Sequence, residues 1–291
     1  MPDTGPGPRP RPSSTTRTAH CQGAPSLMRL YRAVFANGLR RYSTYRAATA
    51  AGLLTNTVFG LINAGVLLAL FHARPHINGY DATDAITHVF VTQALLAPTA
   101  IMGPPLDLGE RVRTGDIATD LMRPAHPLAW WLADDLGRAA FQLAFRSAPT
   151  FAAGALLLPL DLPTDPARWA AFTTATALAV LIGFALRYLF ALAGFWLLDT
   201  RGLTGLLFLL GPAFSGVLLP LVLFPDPLAA TMRTLPWAHM IQFPVEVFLG
   251  KHAPPDLTAG LARQAAWAAA LLALGALATS RAARKVVVQG G

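Results

Sequence analysis

The segment Ala47–Phe71, AATAAGLLTNTVFGLINAGVLLALF, runs for 25 residues without a charged side chain. A helix rises 1.5 Å per residue and the hydrocarbon core of a bilayer is about 30 Å thick, so about 20 apolar residues suffice to cross it. The run reads as a membrane-spanning helix. Five more apolar segments follow: Ala85–Met102, Trp130–Leu160, Ala170–Leu198, Gly205–Phe224 and Ala262–Thr279. The third and fourth of the six exceed a simple crossing, which predicts tilt or extension beyond the bilayer. Pro98 and Pro149 lie inside spans, where kinks are expected and neighbouring helices satisfy the freed carbonyls.

The composition agrees. Hydrophobic residues make up 54% of the 291 and charged residues 13%, against about 25% charged in an ordinary soluble domain. The net charge of +8 would suit nucleic acid, an anionic membrane surface or simple topology. In a membrane protein the topological reading comes first, because Lys and Arg collect on the cytoplasmic side, so no nucleic-acid partner is expected. With six spans both termini share one side. That side carries fifteen of the 23 basic residues and the other side five, namely Arg74, Arg168, Arg233, Lys251 and Arg263. The bias places both termini in the cytoplasm. The single cysteine, Cys21, excludes an intrachain disulfide.

Residues 1–26 are rich in Pro, Gly, Ser and Thr and lack apolar periodicity, a composition that predicts a disordered tail rather than a signal peptide. In residues 27–46, Leu27, Tyr31, Val34, Phe35, Leu39, Tyr42 and Tyr45 recur at roughly helical spacing, with Arg29, Arg32, Arg40, Arg41 and Arg46 between them. A helix with a basic face and an aromatic, aliphatic face belongs in the membrane interface. Residues 47–285 then form the six-span domain, and 286–291 a short C-terminal tail.

Between the second and third spans lies DLGERVRTGDIATDLMRP, Asp107–Pro124, with four acids and three arginines. The charge bias makes it a cytoplasmic loop, the only long one, since Asp199–Leu203 reads as a tight turn. Leu108 and Val112 are four apart, Thr114-Gly115 interrupts, and Asp116 is placed to cap a second short helix carrying Ile117 and Leu121 and ended by Pro124. On the other side, residues 225–261 are too weakly apolar to span. Their Trp237, Phe243 and Phe248, with Glu246 among them, predict short interfacial or re-entrant helices at headgroup level.

The chain has no GxxxxGK[ST] phosphate loop, no HExxH, no GxSxG and no CxxC. His72 and His76 flank Pro75, which spoils helical metal-ligand geometry, and no metal or cofactor is expected on this chain. Ionisable residues inside spans are functional suspects. Arg146 lies in the third span, Arg187 in the cytoplasmic half of the fourth, and Asp134, Asp135 and Arg138 at the cytoplasmic start of the third. Pairing of Arg138 with Asp134 or Asp135, and snorkelling or a structural pair for Arg187, is the preferred reading of these residues.

Four stretches, LDLGERVRTGDIATDLMRPAHPL, DDLGRAAFQLAFRSAPT, FALRYLFALAGFWLLDTRGL and LPWAHMIQFPVEVFLGK, resemble the ABC-2-type transporter permeases, in particular small six-span bacterial ones. The likeness runs from about Met28 to Lys285, and the pairing of an R-x-G-D-[IL] loop with a late FPVEVFLG segment is its most specific part. The resemblance implies the transmembrane subunit of a bacterial exporter in the cell membrane. ATP and magnesium would be bound by a separate ATP-binding subunit, and a second permease copy, identical or paralogous, would complete the assembly. It also implies a coupling helix in the first cytoplasmic loop, for which Glu110, Arg111, Arg113, Asp116 and Asp120 are the candidates. A membrane enzyme acting on lipid-like substrates would need a carboxylate or histidine cluster at the interface. An ion-coupled transporter would carry inverted repeats with broken helices. Neither pattern is evident.

Overall fold

The computed structural model describes residues 27–103, 105–123, 125–197 and 201–289. The readings made for the tail, for Cys21, for Pro124 and for Asp199–Thr200 lie outside them. Among the described residues every regular element is a helix. In chain order these are α1 (Leu27–Ser43), α2 (Arg46–Ala73), α3 (Ala82–Thr99), α4 (Leu108–Thr114), α5 (Ile117–Leu121), α6 (Pro127–Gln142) and α7 (Ala148–Leu157). They continue with α8 (Pro166–Leu192), α9 (Arg201–Ser215), α10 (Asp226–Thr234), α11 (Gln242–Phe248) and α12 (Pro254–Gln289). A π turn, Leu143–Ser147, joins α6 to α7, and α8 closes in a 3₁₀ turn, Ala193–Phe195.

Three of the helices are long and apolar enough to cross a membrane: α2, α8 with its 3₁₀ turn (Pro166–Phe195), and Pro254–Arg284 of α12. They are not equivalent. Within its most apolar window α8 is 61% buried, whereas α2 and α12 are each 22% buried. The axis of the fold is therefore α8, with α3, α4, α6, α11 and α12 packed around it. α2 presents Leu54, Phe59, Ile62 and Val66 outward. A helix apolar on all sides but buried on one needs lipid or a partner against the rest.

Local chemistry sets the element ends. Asp81 and Asp84 form a reciprocal capping box at the start of α3, with bonds of 2.9 and 3.0 Å. Pro127 and Pro166 stand in the first turns of α6 and α8, where their fixed φ suits the helix and the missing N–H costs nothing. Asp165 caps α8 by accepting from the Ala167 amide at 2.9 Å.

The basic amphipathic segment forms α1 and lies along α6. Two glycines permit the approach. A Cβ on Gly137 would stand 2.2 Å from the Phe35 carbonyl oxygen, and one on Gly38 would stand 2.3 Å from that of Asp134. The two backbones thus touch, with Val34 buried beside them, while Leu27, Phe35 and Tyr45 of the expected apolar face remain exposed.

Three expectations change. The fifth apolar segment begins earlier and ends sooner than its hydropathy suggests. α9 starts by Arg201, within the expected tight turn, and stops at Ser215, where Gly216 takes φ +87°. At 15 residues it is about 22 Å long. The stretch after it folds inward, with the Gly216 carbonyl 3.2 Å from the His88 ring and the Leu221 amide donating to Gln242 at 3.0 Å. The aromatic residues expected at headgroup level are also mostly interior. α11 is buried along its length. Phe248 packs edge-on against Phe151, Trp169 and Phe172, with ring centroids 5.5, 5.4 and 5.1 Å away. Phe243 and Val247 cover Ala175 on α8. Trp237 is half-buried. α12, finally, continues through Gln289, past the expected start of a C-terminal tail.

Candidate functional site

The loop between α3 and α6 has an apolar side and a charged side. Leu108 and Ile117 are buried against Phe184, Tyr188, Ala191 and Leu192 at the C-terminal end of α8. Gly115, with φ +84°, ends α4 in the left-handed conformation that glycine adopts readily. The five charged candidates divide by burial. Asp120 is buried and receives Arg111 through Nε at 2.5 Å and Nη2 at 2.9 Å, with Arg123 at 3.0 Å. This bidentate pair clamps α4 to α5. Arg123 also lies over the Trp130 ring, 4.5 Å from its centre. Glu110, Arg113 and Asp116 are exposed, and Arg113 pairs with Glu110 at 2.9 and 2.5 Å.

Asp116 holds the N-cap position of α5 but makes no capping bond. Its φ and ψ, −61° and −17°, are already helical, whereas a capping side chain is aimed at the N2 and N3 amides by an extended backbone. Its carboxylate accepts instead from the Thr114 hydroxyl at 2.9 Å. The Leu121 side chain lies outside the described residues.

Behind the loop is a buried charge network. Asp135, 3% exposed, receives both Arg138 and Arg187. Arg138 donates from Nε at 2.6 Å and Nη2 at 3.2 Å, and Arg187 from Nη1 at 3.1 Å and Nη2 at 2.8 Å. Two guanidiniums share one carboxylate, so the remaining positive charge needs other acceptors. Carbonyls provide them. Arg138 donates to Ala97 and Pro98 at 2.7 and 2.9 Å, and Arg187 to Gly183 at 3.2 Å. The first two lie in the last turn of α3, the negative end of its dipole, and the Ala97 carbonyl also accepts the Ala100 amide at 3.3 Å. Pro98 has no N–H for the Ala94 carbonyl, and Ser147 of the π turn supplies the missing donor at 2.5 Å. Arg41 extends the network to α1 and the loop, reaching Asp107 at 3.3 Å and Asp134 at 3.6 Å.

A second polar site lies at the N-terminal end of α8. Glu246, 3% exposed, is held by Arg233 at 2.7 Å, Gln242 at 2.7 Å and His252 at 3.2 Å. Burial alone would raise this carboxyl. The nearby His252 ring, hydrogen bonds from Arg233 and Gln242, and the charge of Arg233 outweigh it and hold it at about 2. Beside it is a cavity of about 180 Å³ reached by His239, Asp256 and Arg263. Both ring nitrogens of His239 are buried without a hydrogen-bond partner. Burial first, and the nearby Arg263 second, hold its pKa at about 4.

The sequence reading pairs Arg138 with Asp134 or Asp135 and leaves Arg187 to snorkelling or a structural pair; in the structure both share Asp135. The distance of 52 residues between Asp135 and Arg187 leaves no local signal for that bond. Arg233 and His239 were missed for the same reason. Arg146, in the π turn, joins neither site.

A family model described as ABC-2 family transporter protein matches residues 59–290 of the chain. No curated protein and no solved structure matches it.

Removing one partner from a buried ion network typically costs about 3–5 kcal/mol, while replacing the whole set with apolar residues is often close to neutral. Asp135→Asn is therefore expected to lower the unfolding temperature sharply, measured by intrinsic fluorescence in detergent. The triple variant Asp135→Leu, Arg138→Met, Arg187→Met recovers much of the loss.

His239 makes the α10–α11 region sensitive to pH. Its folded pKa of about 4 lies below the ordinary 6.5, so between these values the unfolded chain binds more protons. The stability it contributes is complete above pH 6.5 and is lost as pH falls toward 4, by up to about 1.4 kcal/mol per unit. Unfolding midpoints taken from pH 7.5 to 4.5 should fall more steeply for the parent than for His239→Gln. Equal slopes would contradict this assignment.

Proposed function

The chain belongs to the ABC-2 family of transporter proteins, and on that premise we propose that it is the permease subunit of an ATP-driven exporter. It spans the membrane six times, with α9 and the residues after it as the fifth crossing, and with both termini on the arginine-rich cytoplasmic side. α1 lies in the interface. The exposed apolar faces of α2 and α9 suit lipid and a second permease copy. ATP and magnesium belong to a separate ATP-binding subunit, because this chain has no phosphate loop.

The observation that carries this reading is the two-sided loop. Its apolar side is seated on α8 through Leu108 and Ile117, and its other side offers Glu110, Arg113 and Asp116 to solvent. A coupling element needs both properties, a firm hold on the transmembrane body and a free face for its partner. Arg111 and Asp120 shape the loop from within, and the three exposed charges meet the ATP-binding subunit. Charges at such a surface fix register and exclude wrong partners more than they add affinity. The α10–α11 region, with Trp237, Phe243, Glu246 and Phe248, closes the opposite side.

Reversal of two exposed charges, Arg113→Glu with Asp116→Lys, is expected to leave the chain in the membrane and its unfolding midpoint nearly unchanged. It should abolish both co-purification of the ATP-binding subunit and substrate-stimulated hydrolysis. A double variant that binds and stimulates the subunit as the parent does would remove these residues from the docking face.

A further inference from the structure

Arg146 stands apart from both charge networks. It lies in the π turn, eleven residues beyond Asp135 and about 16 Å further along the helix axis. A guanidinium at that depth is costly, and such residues usually pair or face a functional path. Arg138 and Arg187 have Asp135, but Arg146 has no acidic partner among the described residues. Its Nη2 donates to Asn56 of α2 at 3.0 Å, and its Nε is buried with no partner. The Gln142 Oε1 and Thr150 Oγ1 atoms, four residues to either side, are also buried without partners.

The surroundings are shaped for this side chain. A π turn re-aims side chains within a helix and recurs at functional sites. On the facing helix, a Cβ on Gly52 would stand 2.6 Å from the guanidinium carbon, so glycine lets Arg146 lie against α2 and a larger residue would make the guanidinium shift. Arg146 as a residue is half-buried, beside the exposed Leu143 and Phe145. From there an aromatic ridge leads to α1. Phe145 stacks on Phe141 at 4.8 Å, and Phe141 lies 6.5 Å from Tyr42. At the far end of that ridge, Arg40 and Arg46 are exposed at the joint of α1 and α2. Between Arg46 and Asn56, about 15 Å of helix, α2 carries no acid.

A cationic mouth, an apolar wall and a solitary guanidinium at depth describe a binding path for a molecule with an anionic head and an apolar body. We propose that Arg146 is the anion-binding residue of a lateral site for a phosphate-bearing amphiphile, entering from the leaflet beside α1. The guanidinium presents planar donors that match phosphate oxygens, and Asn56 holds it in place from the side. As an assignment of cargo the inference rests on the exporter reading. As a binding site it stands without it.

The test uses the full chain in nanodiscs, with no ATP-binding subunit present. Spin-labelled phosphatidylglycerol is compared with diacylglycerol, which lacks the phosphate, carrying the same labelled chain. A charge-assisted hydrogen bond contributes about 1.5–3 kcal/mol, so the expected preference for phosphatidylglycerol is about tenfold or more. Arg146→Gln should abolish that preference and Arg146→Lys should keep part of it. If Arg146→Gln does not fold, Gly52→Ala, which fills the slot but leaves the charge, should weaken the preference. An equal signal from both lipids, or a preference that survives Arg146→Gln and Gly52→Ala, overturns the proposal. Displacement of the labelled lipid by millimolar glycerol 3-phosphate would show a site for free phosphate esters and overturn the amphiphile assignment. A lipid preference that is present while no ATP-binding subunit co-purifies with the chain from native membranes would count against the exporter reading alone.

Discussion

One carboxylate holds two guanidiniums inside the helical bundle, and the arrangement of α3, α6 and α8 depends on it. Asp135 cannot be moved without leaving Arg138 and Arg187 charged and unpaired, and among the described residues neither arginine has another acid within reach of an ion pair. The network also uses the carbonyls that end α3, so it fixes where that helix stops as well as what it touches. Apolar packing tolerates small sliding between helices. A bidentate charge network does not, because each bond needs its own distance and angle. The three helices are thereby held in one register at the end of the bundle where the α4–α5 loop is seated.

That register gives the loop its mechanical meaning. Leu108 and Ile117 rest on the last turns of α8, against Phe184, Tyr188, Ala191 and Leu192, which lie on both sides of Arg187 in the chain. Arg41 ties Asp107 of the loop to Asp134 of α6 and to α1. A push on the exposed charges would be carried to α8 by packing and to α6 by ion pairs, with little slack between. The far end of α8 meets the α10–α11 region through Ala175, Phe243 and Val247. One helix therefore links the charged loop to the cavity beside Glu246.

Much of this was legible before the structure. The apolar runs located a helix in each of six segments, and the 27–46 pattern located α1. Thr114-Gly115 marked the break in the loop, because glycine takes φ +84° there without strain. What failed, failed for physical reasons. Asp116 was placed at the right cap position, but its backbone is helical and its carboxylate turns to Thr114. Trp237, Phe243 and Phe248 were assigned to the headgroup level by residue type, yet Phe248 is enclosed by rings from α7 and α8 that lie at least 76 residues away in the chain. Hydropathy extended the fifth segment to Phe224, while Gly216 and the Gln242 side chain fold its last part inward. Long-range pairs such as Asp135 with Arg187, and the π turn that aims Arg146, leave no periodic trace in the sequence.

The central claim is that the charged loop and α8 move as one body when nucleotide drives the transporter. Pulsed electron–electron double resonance between spin labels tests it most directly, in the reconstituted complex with its ATP-binding subunit and with Cys21 replaced by Ser. One pair joins Ala118→Cys in the loop to Ala170→Cys near the start of α8, and the other joins Ala118→Cys to Gly65→Cys on the exposed face of α2. The account predicts an unchanged first distance and a shifted second distance between nucleotide-free and ATP-trapped states. A first distance that shifts or broadens while the second stays constant would contradict it.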